Sequence, residues 1–216
     1  MEGQERASRG PSSSSRADDQ RQRIGALAAN IFGVRGYRAT SMTEIAAAAQ
    51  LAKPTLYHYF RSKEELLVRI YEEVLDESLA SVEAISNSNP DPLQALKEIL
   101  TQRVVYTCEN QQLLKICFEE ENELPPHLTE TLFRRRRALE EVILHRLAQL
   151  LDAKKATLAV APRIYVNACL GAVNWVYKWY DPHGARTPTE LGNDIADLLL
   201  APLRELTLVN HYTELQ

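Results

Sequence analysis

The sequence predicts an all-α protein. Apolar residues recur at helical spacing from Asp18 almost to the C-terminus, the breaks fall at Pro, Gly and Asn clusters, and no segment sustains the period-two alternation of a half-buried strand. With 216 residues, one large or two small domains are both open.

Each element follows from a local signal. Ile24, Leu27, Ala28, Ile31 and Phe32 lie at i, i+3, i+4, i+7 and i+8, an apolar stripe closed by Gly36. In "SMTE", Ser41 and Glu44 form a capping box that opens a short helix through Ala49. Pro54 fits the first turn of a third helix, residues 53–60, where its missing N–H costs nothing. Ser62 and Glu65 make a second capping box, starting a long helix over 62–82 with Leu66, Leu67, Ile70, Val74 and Leu75.

"SNSNPDP", residues 86–92, is a turn in which Asp91 caps a helix carrying Leu93, Leu96, Leu100 and Val104. "ELPP" breaks the chain near residue 125, and Leu128, Leu132, Leu139, Ile143, Leu147 and Leu150 mark the next helix. Pro162 begins another, to about Tyr180, and "DPHGAR" is a loop. Thr187 and Glu190 form a third capping box, and the last helix, with Leu191, Ile195, Leu198 and Leu199, is stopped or kinked at Pro202. Residues 1–17, polar and without periodicity, read as a disordered arm whose arginines add nonspecific phosphate attraction.

The net charge of −4 is unevenly spread. Residues 1–63 hold ten Arg and Lys against five acids, a net of +5, which leaves −9 for the rest. Such a split suggests a polyanion-binding head on an acidic body. No apolar run is long enough to span a membrane and no signal peptide is visible, so a cytoplasmic protein is expected. Cys108, Cys117 and Cys169 form no C-x-x-C pair and have no histidine at metal-ligand spacing; they read as reduced buried thiols rather than a redox or metal site. No nucleophile elbow, P-loop, dinucleotide fingerprint or H-E-x-x-H is present, so neither an enzyme nor a cofactor is expected.

Two short helices braced by a preceding amphipathic one match a helix-turn-helix. The helix at 53–60 is its polar, aromatic member. Lys53, Pro54 and Thr55 occupy the first turn, where a recognition helix meets base edges. Lysine can donate to guanine O6 and N7, and a proline ring can pack on a thymine methyl. Thr55, Tyr57 and Tyr59 offer hydroxyls to phosphate oxygens, and Lys63 sits in the first turn of the next helix. Leu56 and Phe60, at i and i+4, face inward, which leaves Lys53, Thr55, His58 and Tyr59 on other faces.

Residues 23–67, "RIGALAANIFGVRGYRATSMTEIAAAAQLAKPTLYHYFRSKEELL", resemble the N-terminal domain of the TetR/AcrR family of bacterial transcriptional repressors, with G-Y, T-S-M-T-E-I-A, T-L-Y-H-Y-F and S-K-E-E-L in order. The resemblance implies a homodimer that binds a near-palindromic operator in double-stranded DNA and releases it when a small-molecule inducer enters the C-terminal domain. By position it makes Thr43, Lys53, Pro54, Thr55, Tyr57, His58, Tyr59 and Lys63 the operator contacts. Three positions depart from the family pattern. Gln50 stands for the common turn glycine, Ala52 for a capping Ser or Thr, and Pro54 for a frequent Gly or Ala. Gln50 is thereby expected to take a left-handed conformation, and Ala52 to leave the recognition helix uncapped.

The expected organisation is an arm at 1–17, a helix-turn-helix DNA-binding domain at 18–64, a ligand-binding and dimerisation domain at 65–209 and a tail at 210–216. Residues 171–200, chiefly "KWYDPHG" and "TPTE", resemble a TetR subgroup that includes regulators of steroid and fatty-acid breakdown, several of them responsive to acyl-CoA thioesters. The alternatives are an efflux or stress regulator sensing a drug-like hydrophobe, and a DNA-binding protein without ligand.

Ala168, Gly171 and Ala172 would let helices of two subunits pack closely, or pack only within one. In "FRRRRALEE", Leu132 and Leu139 bracket Arg136 and place it on the apolar stripe, where it needs an anion from a ligand or from one of Glu119, Glu120, Glu121 and Glu123. Asn174, Tyr177 and Lys178 are further ligand-binding candidates, polar groups beside Trp175 and Trp179 in a stretch that otherwise reads as core or dimer seam.

Overall fold

The computed structural model describes residues 13–205, which form nine α-helices and no strand. The chain divides into two compact units between Ile70 and Tyr71.

The first unit contains α1 (Ser13–Arg35), α2 (Met42–Ala48), α3 (Lys53–Tyr59) and the start of α4 (Lys63–Ser88). Helix α1 begins inside the stretch read as an arm, because Arg16 and Ala17 are good helix formers that continue the turn before Asp18. Residues 1–12 of the arm expected at 1–17, and the tail at 210–216, lie outside the described residues, while residues 13–17 are helical rather than disordered. Ile24, Ala28 and Phe32 of α1 are buried, with Leu27 and Ile31 flanking them, and they pack with Ile45, Leu56, Phe60, Leu66 and Leu67 in the unit's apolar core. Gly36, at φ 88°, closes α1 in the left-handed region that a Cβ would oppose.

The capping box of α2 is complete: the Ser41 hydroxyl accepts from Glu44 N–H at 3.3 Å and the Glu44 carboxylate accepts from Ser41 N–H at 2.8 Å. The box read at α4 forms by half. Ser62 Oγ accepts from Glu65 N–H at 3.2 Å, but the Glu65 carboxylate reaches one residue further and takes Arg61 N–H at 2.7 Å. Helix α4 outruns its expected end at 82 and stops at Ser88, because Pro90 disfavours the helical region for Asn89.

The second unit holds the rest of α4 with α5 (Pro92–Glu109), α6 (Gln111–Glu119), α7 (Pro126–Lys154), α8 (Pro162–Trp175) and α9 (Pro188–Arg204). The break between α5 and α6 has no Pro or Gly to announce it. Asn110 makes it, turning its Nδ2 back to donate to Tyr106 O at 2.9 Å and so competing with helix continuation. Leu96, Leu100 and Val104 of α5, Leu139, Ile143, Leu147 and Leu150 of α7, Val166, Cys169 and Val173 of α8, and Ala196, Leu200 and Leu203 of α9 close one core.

On α9 the buried face is Gly192, Ala196, Leu200 and Leu203, rotated from the stripe that its leucines suggest. Leu198 of that stripe is 73% exposed. Gly192 decides this. A Cβ there would lie 2.8 Å from Thr101 O, so α9 approaches α5 closely at Gly192, with Ala196, Leu200 and Leu203 on the same buried face and Leu198 turned outward. Pro202 sits inside α9 near its end without stopping it.

All three cysteines are free and buried. Burial pushes the Cys108 thiol up to about 11 and the Cys117 thiol up to about 12, so both stay protonated at neutral pH. No helix among the described residues is long and apolar enough to cross a membrane.

Candidate nucleic-acid interface and ligand cavity

The two-helix motif of the first unit is held from one side only. Leu56 and Phe60 anchor α3 with relative exposures of 0% and 3%, and Ile45 and Ala46 do the same for α2. Gln50, at φ 57°, turns the chain between the helices in the left-handed region expected of it. Ala52 leaves α3 without a side-chain cap, and Pro54 stands in its first turn.

The outward face of α3 therefore belongs to Lys53, Pro54, Thr55, Tyr57 and His58, all exposed, with Tyr59 partly covered by the edge of the His58 ring at 5.6 Å. Thr43 is exposed on the first turn of α2. Lys53 has no acid partner among the described residues; its ammonium lies 6.0 Å from the Tyr57 ring. Lys63 is placed differently. Its ammonium donates to Tyr37 O at 2.8 Å and Thr40 O at 3.0 Å and lies 4.3 Å from the Tyr37 ring. Two of its three hydrogens thus brace the loop after α1, and one is left for an external acceptor.

The second unit encloses a cavity of about 390 Å³ with walls from α4, α5, α6, α7 and α8. Apolar lining comes from Val74, Leu75, Leu114, Phe118, Leu139 and Leu170. Among the polar groups, Arg136 is tied into the protein. Its guanidinium donates to both oxygens of Glu121, at 2.8 and 2.5 Å, and to the Tyr71 hydroxyl, and it stands 4.9 Å from the Tyr71 ring. Burial works against the Arg136 charge, but the hydrogen bonds and attraction of Glu121 and Tyr71 outweigh it and hold the pKa above its usual value. Burial pushes the Tyr71 phenol up as well, which keeps it neutral.

Arg103, on α5, faces the same cavity and is not tied in. Its Nη2 donates to Asn174 Oδ1 at 3.1 Å, and its Nε is buried with no partner. Burial pulls its pKa down to about 10, so it remains charged at neutral pH. The nearby Tyr106 hydroxyl is turned to Glu77, donating at 3.1 Å. On α7, Glu140 pairs through Oε2 with Arg163 at 2.8 Å, while its Oε1 is buried without a partner.

Of the four ligand-binding candidates named from sequence, Arg136 and Asn174 line this cavity and Tyr177 and Lys178 do not. The backbone between Trp175 and Trp179 tightens into a 3-10 turn at Val176–Lys178, which redirects both side chains. Tyr177 is buried with its ring 5.5 Å from Phe118, and Lys178 is ion-paired with Glu119 outside the cavity wall. Sequence reasoning passed over Arg103. The spacing argument that isolates Arg136 applies to it too, since Leu96, Leu100, Arg103 and Thr107 stand at i, i+4, i+7 and i+11.

Residues 24–70 match the model of bacterial regulatory proteins of the tetR family, and residues 89–203 match that of the tetracyclin repressor-like C-terminal domain. The chain is 23% identical over 199 residues to the HTH-type transcriptional repressor KstR2 of Mycolicibacterium smegmatis, covering 90% of this chain and 96% of that protein. The TetR family regulator PfmR of Thermus thermophilus superposes with a TM-score of 0.73 at 29% identity, over 83% of this chain and 97% of its own. The regulator AibR, solved with isovaleryl coenzyme A and operator DNA, shares the fold with a TM-score of 0.73 at 24% identity, again over 83% and 97%.

Proposed function

The chain belongs to the TetR family of bacterial regulatory proteins, and on that premise we propose that it is a transcriptional repressor, a homodimer bound to a near-palindromic operator and released by a small-molecule inducer. The inducer class this reading favours is an acyl-CoA or a related lipid or steroid catabolite. AibR, of the same fold, binds isovaleryl coenzyme A, and the chain's relative KstR2 is a repressor.

One observation carries the reading. Helix α4 runs unbroken from Lys63, whose ammonium is fixed to the loop after α1, to Tyr71, Val74, Leu75 and Ser78, which line the cavity. A ligand seated in that cavity touches the helix whose first turn is bonded into the DNA-binding unit. It therefore has differential contacts with any two positions of α4, which is what a population shift requires.

Operator contact falls to Lys53, Pro54 and Thr55 at the tip of α3, with Thr43, Tyr57, His58, Tyr59 and the remaining hydrogen of Lys63 directed to the backbone. The dimer seam falls to α8 and α9. Ile164 and Trp175 are 61% and 59% exposed, Ala168, Gly171 and Ala172 lie between them on the same face, and a Cβ on Gly171, which also borders the cavity, would meet no described atom within 4 Å. A two-fold dimer that reads both half-sites of such an operator needs its recognition helices about 34 Å apart, one turn of DNA.

The test is a gel shift on the DNA upstream of the protein's own coding sequence, with and without an acyl-CoA series. Retardation at low salt that the thioester reverses is expected. No retardation at low salt would rule out the DNA-binding reading, and retardation that no thioester reverses would rule out the inducer class.

A further inference from the structure

Resting on the inducer reading, we propose that the cavity contains an oxyanion subsite, in which Arg103 and Asn174 hold a negatively charged group carried by a compact, mainly apolar effector.

Among the described residues, every charged side chain lining the cavity has an oppositely charged partner except one. Glu121 pairs with Arg136, and Arg163 pairs with Glu140 through Oε2 and also with Glu141, while Glu140 Oε1 stays unpartnered. Glu77, the acid nearest to Tyr106, accepts that residue's hydroxyl. Among the described residues Arg103 alone has no carboxylate, and the one hydrogen bond of its guanidinium goes to the neutral amide of Asn174.

A guanidinium taken out of water without an anion destabilises the fold that contains it, and an apolar side chain of similar length would serve packing better. The group makes sense where something from outside supplies the charge. Its geometry suits that role. Nη2 gives one hydrogen to Asn174 and keeps a second, and with the unpartnered Nε or with Nη1 beside it that completes one of the two-donor edges that a carboxylate or phosphate takes in two-point fashion. Asn174 adds a donor: with Oδ1 occupied by Arg103, its Nδ2 is the group left to bond a ligand oxygen.

Size restricts the effector. At about 390 Å³ the cavity stands at the small end of the roughly 300–1,000 Å³ that small-molecule pockets span. That is the scale of a medium-chain acid, while a nucleotide-bearing thioester is several times larger and could seat only one end. The oxyanion has two sources, a free carboxylate held wholly inside or an anionic group of a thioester reaching in.

The experiment compares full-length wild type with Arg103→Met, and with Arg103→Lys, which keeps the charge and loses the fork. The first measurement needs no ligand. Arg103→Met is expected to melt at or above the wild-type temperature, and a fall of several degrees would make Arg103 a structural tie and overturn the proposal.

The second measurement titrates decanoate, decanol and decanoyl-CoA, read by calorimetry. Wild type is expected to bind decanoate or decanoyl-CoA at least tenfold more tightly than Arg103→Met does, with Arg103→Lys between them and decanol indifferent to the change. Decanoate alone behaving so identifies a free acid, and the thioester alone identifies its own anion. Equal binding by wild type and Arg103→Met, decanol bound as tightly as decanoate by wild type, or no binding of any of the three would overturn the proposal. Gel shifts separate the two readings. A thioester that releases operator from both proteins alike leaves the inducer reading standing without the subsite, and an acid bound through Arg103 with operator retained leaves the subsite standing without the inducer role.

Discussion

Lys53 in the first unit and Arg103 in the second are both cations without an acid partner among the described residues, yet they mean different things. Lys53 is exposed at the tip of α3, where water already solvates it, so its lack of a partner costs almost nothing and signals nothing by itself. Only its place in the first turn of a short helix, pinned beneath by Leu56, makes it a candidate reader of bases. Arg103 is set into a cavity wall with Nε buried, and there the missing anion is itself the observation. On a surface, function is read from position; in an interior, it is read from what is unbalanced. Arg136, in the same cavity as Arg103 but bonded to Glu121 on both oxygens, is the control inside the molecule.

The comparison breaks most severely if the scaffold under Lys53 is removed. Leu56→Ala is expected to cost about 3 kcal/mol of stability by chemical denaturation and to abolish operator retardation, since α3 has no other fully buried side chain. Arg136→Met sharpens the contrast within the cavity. It strands Glu121 and Tyr71 and is expected to cost about 2 kcal/mol, less than a fully buried pair because both partners retain some solvent contact, whereas Arg103→Met costs nothing. Equal melting temperatures for the two variants would erase the distinction between a paired and an unpaired arginine.

Lys53→Ala acts on function without touching stability. It should weaken operator binding by about 1.5 kcal/mol per half-site, with an unchanged melting temperature, and relax discrimination at one base position in a substituted-operator series. Gln50→Gly should raise stability by about 1 kcal/mol, or roughly 3 °C in Tm, by relieving the positive φ.

The smallest effect concerns pH. Hydrogen bonds from the Ser41 backbone and side chain, with Arg35 nearby, hold the Glu44 carboxyl below its usual range. A depressed pKa contributes stability that is present above the unfolded value and lost as pH falls through the folded one. Wild type should therefore lose slightly more stability than Glu44→Gln in urea melts taken between pH 6 and pH 3.

Local order was legible in the chain's own pattern because the responsible forces are local. The Ser41–Glu44 and Thr187–Glu190 boxes, the Asp91 cap and the inward Leu56 and Phe60 are each settled within four or five residues of themselves, whereas the left-handed Gln50 was expected from the family resemblance. The exposed face of α3, proposed to meet DNA, belongs with them, since a contiguous segment on a short helix presents its side chains wherever that helix docks.

The cavity is of another kind. Five helices separated by up to about a hundred residues meet there, and no spacing rule states that Glu121 will reach Arg136 while no acid reaches Arg103. The same limit applies to α9, whose leucines suggested one buried face while Gly192, by admitting the backbone of Thr101, selected another. Pattern along the chain determines which residues want to be inside. Which of them find a partner there depends on distances between elements, and those exist only once the helices have packed.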